Sequence, residues 1–353
     1  MASGKNAIGL DIGSHSIKLI QLKETGKGVT LQNFSYIQLP PEAIVDGSLM
    51  NSSDVVSAIQ ELVKVNKLRN KDVAVSISGH SVIIKKISLP EQTIDELEES
   101  IQWEAEQYIP FDIKDVNVDV EILNPKAGQG QMDVLLVAAK KDVINEYMTL
   151  ILEANLNPVV VDVDCFALQN QFELNYGRVP DQTIALVNVG ASVININIVS
   201  NGVTTFTRDI TMGGDLVTGE IQKQLNVNYD EAETYKTGGG MDEDAGSIIP
   251  QEVEKICEMV SETLVNEIQR SLDFFAATTV NAGISRIYLS GGSSKMPALV
   301  KTLERTTEIP VEQSNPFKNV IIDNRRFDLD FLQTISPMAA VSVGLGLRRG
   351  GER

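Results

Sequence analysis

The chain has 353 residues, with 30 Lys+Arg against 48 Asp+Glu and a net charge of −18 at pH 7. That length suits about two domains with substantial cores, and the acidity argues against a nucleic-acid partner, because no basic face is evident in the chain read in order. The two cysteines, Cys165 and Cys257, form no CxxC pair, which argues against a metal site or disulfide framework, and no apolar run approaches the ~18–20 residues of a membrane span, so no direct membrane insertion is expected.

In chain order, residues 7–22 read AIGLDIGSHSIKLIQL. Two short aliphatic runs, Ala7–Ile12 and Ile17–Leu22, bracket four small or polar residues, the pattern of a hairpin. Gly13 lets a ligand approach the backbone. The amides of Ser14, His15 and Ser16 then suit an anion. Asp11, at the strand end, suits a hydrated Mg²⁺, and Lys18 on the return strand suits a phosphate. The same stretch also fits an ordinary buried hairpin with a polar tip. The N-terminus enters this strand almost at once, leaving no room for a signal peptide, and LGLRRGGER is a short basic tail, so the expected compartment is the cytoplasm.

Val29–Ile37 reads as a third strand. Ser53 or Asp54 is expected to cap an amphipathic helix running to about Asn66, and Asp72–Ser78 is a fourth strand. Residues 82–139 form a distinct β-α-β-β block, with its helix at Thr93–Gln107 followed by Pro110-Phe111. Trp103 and Phe111 either line a partner groove or form the block's own core, and core is expected for Trp103. A helix at Lys141–Ala154 and a strand at Pro158–Val163 follow.

From residue 181 the pattern begins again. TIALVNVG, a Gly-Ala-Ser turn and VININIVS repeat the opening hairpin, and Val203–Ile210 is the third strand. Gly213-Gly214 leads into a helix to about Leu225, and Tyr229–Lys236 is another. Residues 238–249 are expected as an acidic solvated loop. A long helix spans Pro250–Ala277, a strand Arg286–Leu289, and Gly291-Gly292-Ser293-Ser294 turns into a helix from Met296. Ser336–Leu347 is a final small-residue helix. Two halves each open with a three-stranded meander, extended by further strands and covered by helices.

With both glycine turns and IYLSGGSSKMPAL in view, the sequence resembles the actin-like ATPase superfamily, which includes actin, sugar kinases, heat-shock chaperones and FtsA. The resemblance implies an α/β, ribonuclease H-like duplicated two-domain fold with a nucleotide cleft. It implies ATP and Mg²⁺ as cofactors. The first phosphate loop falls on Asp11, Gly13, Ser14, His15, Ser16 and Lys18. The second falls on Gly190, Ala191 and Ser192, with Gly213 and Gly214 beside it. The adenosine motif falls on Gly291, Gly292, Ser293 and Ser294. Asp162 and Asp164 open the first connecting helix, as candidate catalytic carboxylates or as strand-end and cap residues. Glu233 and Lys236 resemble the Glu-x-x-Lys pair that contacts ribose and adenine, three apart on one helical face. Asn188 stands where the second loop usually has Asp, so the metal set of Asp11 and Asn188 is one charge short and hydrolysis is expected to be slow.

The late position of the inserted block resembles FtsA, and IQWEAEQYIPFDIKDV resembles FtsA's type IV pilus assembly relatives. These imply a first domain at 1–83 and 140–180 with the 336–347 helix packed back on it, an inserted subdomain at 84–139, and a second domain at 181–335. They also imply a cytoplasmic ATP-binding scaffold, peripheral at the inner membrane through the N-terminal cytoplasmic peptide of PilN, with other pilus machinery as further contacts. A filament-forming protein and a small-molecule kinase are the alternative readings.

Overall fold

The computed structural model describes residues 6–45, 47–238, 248–279 and 282–351. Of the acidic loop expected at 238–249, residues 239–247 lie outside them, and Ile248 and Ile249 open a helix instead of ending the loop.

The first sheet begins with the meander β1 (Ile8–Ile12), β2 (Ser16–Thr25) and β3 (Gly28–Gln38). A short ribbon of β4 (Ile44–Val45) and β5 (Ser48–Leu49) leads into α1 (Ser52–Val65). The cap of α1 is Asn51, whose side chain accepts from the Asp54 amide, not Ser53 or Asp54. Asparagine suits this place because its side-chain oxygen meets an otherwise orphaned amide. Val55, Ala58, Ile59 and Leu62 line the buried face of α1 against the sheet.

After β6 (Asp72–Ile77) the chain leaves for the inserted module: β7 (Val82–Pro90), α2 (Ile94–Ala105), β8 (Val116–Gly128) and β9 (Gln131–Lys140). Its strands pair in the order β7-β9-β8. Leu97, Ile101 and Ala105 recur every fourth residue and pack α2 onto this sheet. Trp103 lies off that stripe and is 76% exposed, so it is not a core residue. Phe111 packs partly against the module core, with the Lys140 ammonium 4.7 Å from its ring centroid.

The chain returns through α3 (Lys141–Glu153), β10 (Asn157–Val163) and α4 (Asp164–Tyr176). The second half repeats the plan with β11 (Thr183–Val189), β12 (Ile194–Ser200) and β13 (Val203–Ile210), then α5 (Asp215–Leu225), α6 (Tyr229–Lys236) and α7 (Ile248–Thr278). It closes with β14 (Ile284–Ser290), α8 (Pro297–Thr307) and β15 (Val311–Gln313). The two five-stranded sheets run β3-β2-β1-β6-β10 and β13-β12-β11-β14-β15, the same order twice. In each, the inner strands pair in parallel and the meander antiparallel.

The expected final helix, Ser336–Leu347, is two pieces, a 3-10 turn at Ser336–Ala339 and α10 (Ala340–Leu345), and α9 (Leu329–Ile335) precedes them. Pro337, with no amide hydrogen to donate, sits in the turn between α9 and α10. α10 returns to the first half. A Cβ on Gly344 would stand 1.8 Å from the Ala167 carbonyl oxygen of α4, and one on Gly9 would stand 2.3 Å from the Ser342 carbonyl oxygen. Only glycine permits either approach.

Candidate functional site

In a parallel pair of strands, loops at the carboxyl ends gather on one side, where α/β proteins bind ligands. The duplicated sheets aim these ends at each other across a cleft of about 1010 Å³. This is at the upper limit of the ~300–1,000 Å³ typical of small-molecule sites.

The two hairpin turns form opposing walls. Gly13 N donates to Ser16 O at 3.2 Å, and Gly190 N to Val193 O at 2.9 Å, so each turn closes the same way. Their tips meet where Ser14 Oγ lies 2.8 Å from Ser192 Oγ. His15 Nδ1 also crosses the cleft, 3.2 Å from Tyr229 Oη. Burial pushes the His15 imidazole below its usual range. Glu233 opposes that shift, while Lys236 adds to it.

The second turn rests on the predicted glycine pair. Gly214 N and Asp215 N donate to the carbonyls of Gly190 and Ala191, both at 2.9 Å. A Cβ on Gly213 would fall 2.4 Å from the Ala191 oxygen. Gly213 and Gly214 therefore support the loop from behind instead of facing the cleft. Ser294 is also turned away, because its buried hydroxyl donates to Gly291 O at 2.7 Å and closes its own turn. Gly291, Gly292 and Ser293 do line the cleft, and Ser293 Oγ donates to Gly190 O at 3.1 Å.

The carboxylates separate into different roles. Lys18 Nζ lies 3.4 Å from Asp11 Oδ2, and burial still pushes Asp11 up against that attraction. Asp164 lines the cleft and accepts from Ser76 Oγ at 2.5 Å. Burial, with the Asp11 charge added, raises it to about 7. Asp162 does not join them. It lies beneath the sheet edge in an ion pair with Arg348, at 3.1 Å, because the chain turns from strand to helix between the two aspartates. Burial pushes Asp162 up and Arg348 opposes the shift.

Asn188 is held by a line of side chains. Ser290 Oγ donates to its Oδ1 at 3.3 Å, its Nδ2 donates to Asn195 Oδ1 at 2.9 Å, and Asn195 Nδ2 donates to Asp209 Oδ1 at 2.9 Å. Asp209 Oδ2 then accepts from Gly79 N at 2.6 Å, beside the root of the inserted module. Asn195, Asp209 and Tyr229 are additions to the residues read from the sequence. Among the described residues, no three His, Cys, Asp or Glu side chains converge as a metal group. Asp11 offers one carboxylate, and Asn188 an amide oxygen already engaged. That set fits an ion held mostly by water and phosphate, as Mg²⁺ is, better than an all-protein cage.

On the far wall, Lys236 Nζ meets Glu233 Oε1 at 2.5 Å and Thr218 Oγ1 at 2.9 Å, and the Thr218 hydroxyl also donates to Glu233. The pair is nearly buried and faces the cleft, unlike a surface ion pair. Tyr235, Val253, Cys257, Met296 and Met338 add an apolar surface beside Gly291-Gly292. No helix among the described residues is long and apolar enough to cross a membrane.

A solved structure titled PilM-PilN type IV pilus biogenesis complex superposes with a TM-score of 0.86 and 29% identity, covering 99% of this chain and 99% of that one. The ethanolamine utilization protein EutJ of Carboxydothermus hydrogenoformans shares the fold at a TM-score of 0.57 and 14% identity, over 97% of this chain and 89% of that one. The cell division protein FtsA of Bacillus subtilis (strain 168) is 22% identical, covering 88% of this chain and 78% of its own length. The fold is thus actin-like, as the repeated hairpins imply. The family profile described as type IV pilus assembly protein PilM matches residues 9–350. The chain belongs to the PilM family of type IV pilus assembly proteins.

Proposed function

We propose that the chain is an ATP-binding scaffold of the pilus assembly complex, in which nucleotide fixes the relation of its two halves. The observation that carries this is the meeting of two like turns, Gly13–Ser16 and Gly190–Val193, at the Ser14–Ser192 contact. Triphosphate between them replaces that contact with backbone amides from both sides, an arrangement suited to anions. Lys18 adds a point charge. Asp11 holds hydrated Mg²⁺, which offsets phosphate charge. Glu233 and Lys236 take the ribose and adenine edge, and the glycine turn at 291–292 leaves room for the base. Asp164, raised to about 7 by burial, is suited to accept a proton from water. Asn188 supplies no charge, so turnover is slow. In calorimetry with ATP and Mg²⁺, Lys18→Ala weakens binding at least tenfold. Unchanged affinity refutes the placement of the phosphates.

On this reading the chain divides into a first domain at 1–83 and 140–180, joined by 336–347, an insertion at 84–139 and a second domain at 181–335. The partner is the N-terminal cytoplasmic peptide of PilN, by analogy with the PilM-PilN complex it resembles. It holds the protein at the inner face of the membrane. The peptide docks where the insertion meets the first domain, along Val82–Ser88 and α2. In fluorescence anisotropy, Lys18→Ala spares peptide binding, whereas a folded variant lacking 90–135 loses it. Equal binding by that deletion variant places the groove elsewhere.

A further inference from the structure

Charge is unevenly spread along this acidic chain. The first 80 residues hold 8 basic and 7 acidic side chains, in a protein whose net charge is −18. Strand register shows where the basic ones gather. Ile8 pairs with Val73, and Asp72 with Asn157, so the starts of β1, β6 and β10 share one end of the first sheet. The β2–β3 hairpin tip lies at that end too, since β2 runs antiparallel to β1. Asp11 and Ser76, which line the cleft, sit at the other end of the same strands.

At this distal end, Lys23 and Lys27 project from the hairpin tip, Lys64 from the last turn of α1, and Lys67, Arg69 and Lys71 from the turn into β6. All six are exposed, and none is in an ion pair among the described residues. A helix dipole accounts for Lys64 and its neighbour Lys67, since cations favour a helix C-terminus. It does not account for the others, which lie on different elements. Exposed apolar side chains accompany them. Val65 is 66% exposed between Lys64 and Lys67, and Leu152 is 56% exposed near the end of α3. The two helix ends are tied by Gln60 Nε2 donating to Glu153 O at 3.2 Å, and Lys71 Nζ donates to Asn155 O at 3.0 Å.

We propose that this end of the first sheet, centred on Lys64–Lys71, is a contact surface for an anionic lipid bilayer. Clustered cations with apolar side chains among them suit headgroups above an acyl boundary. Of the exposed acids at this end, Glu24 is paired with Arg349 and Asp72 accepts from Asn157 Nδ2; charge farther off is screened by salt beyond about 8 Å at physiological ionic strength. The surface lies opposite the cleft, so it leaves nucleotide access open. It rests on charge, exposed apolar side chains and strand register, and stands or falls separately from the ATP and peptide readings.

The test is flotation of the full chain with vesicles of phosphatidylcholine, with or without a third of phosphatidylglycerol. The chain floats with the anionic vesicles at about 0.1 M salt and is released at about 1 M, where the Debye length falls to about 3 Å. Partition drops about fivefold for each basic residue neutralised here. Lys64→Glu/Lys67→Glu/Arg69→Glu/Lys71→Glu therefore abolishes flotation. The same change in charge on the second half, Lys223→Glu/Lys255→Glu/Arg270→Glu/Arg305→Glu, does not. The milder Lys67→Gln/Arg69→Gln gives an intermediate result and serves if the charge-reversed variant fails to fold. Equal flotation with neutral vesicles, none with anionic ones, or equal loss in both reversed variants overturns the proposal. So does capture of a labelled oligoglutamate peptide without vesicle binding, which marks an acidic protein partner instead.

Discussion

Replacing Asp164 with Asn tests the electrostatics of the cleft in the ligand-free protein. Asp164 accepts from Ser76 and stands near Asp11, and burial raises its pKa from 3.8 to about 7. Between those two values the folded carboxyl keeps its proton while the unfolded one has lost it. The folded state then binds more protons, so stability falls as pH rises through this window and levels off above about 7. The rise corresponds to up to about 4 kcal/mol, at roughly 1.4 kcal/mol for each tenfold change in the proton equilibrium. Asn keeps an oxygen for the Ser76 hydroxyl and never ionises. The variant is expected to be more stable than the parent by about 2 kcal/mol at pH 5.5 and by up to about 4 kcal/mol at pH 8.5. Urea midpoints of both proteins across that range provide the measurement. A difference that stays constant with pH, or a variant that is weaker throughout, refutes the reasoning. Mg²⁺ with ATP should narrow the gap if the ionised form is the one used with ligand.

Other perturbations follow from single contacts. Arg348→Ala leaves Asp162 buried without its partner and should cost about 3–5 kcal/mol; the loss grows as pH rises above the ordinary carboxylate range, since Asp162 must then ionise unpaired. Gly291→Ala meets both a φ of 89° and a Cβ 2.3 Å from the Val189 oxygen, so thermal denaturation should show a loss of at least ~1–3 kcal/mol, with ATP affinity falling in parallel. Asn188→Asp removes the donor to Asn195 and sets a carboxylate near Asp209; ATP turnover measured by phosphate release should not decrease, while stability drops by about 1–3 kcal/mol.

The halves of this molecule were readable because each opens with aliphatic runs around a glycine turn, and strand alternation and turn chemistry are local properties. The Glu233–Lys236 pair was readable for the same reason, since three-residue spacing on a helix places both on one face. What stayed hidden depended on distant partners. Asp162 and Asp164 look equivalent in VDVDC, yet the strand ends at Val163, and only Arg348, far along the chain, shows that Asp162 belongs beneath the sheet. Asp209 carries no motif at all. Its place comes from β13 lying beside β12 and from the backbone amide of Gly79. Trp103 was legible and misjudged, because it falls outside the four-residue recurrence of Leu97, Ile101 and Ala105.

The return of α10 to the first sheet bears on how the chain is made. Ala7 N donates to Arg348 O at 2.8 Å, and the buried Asp162 waits for the Arg348 side chain. Gly9 and Ala167 both press against α10. The first sheet is thus completed by residues translated more than 170 positions after its last strand. Until then its sheet lacks one covering helix and carries an uncompensated acid. Domains commonly fold as they emerge, but here the second half can finish while the first is still open. Closing such distant contacts is slow, so a ribosome stalled before residue 336 should hold a nascent chain in which protease cuts β1 and β10 more readily than β11 and β12.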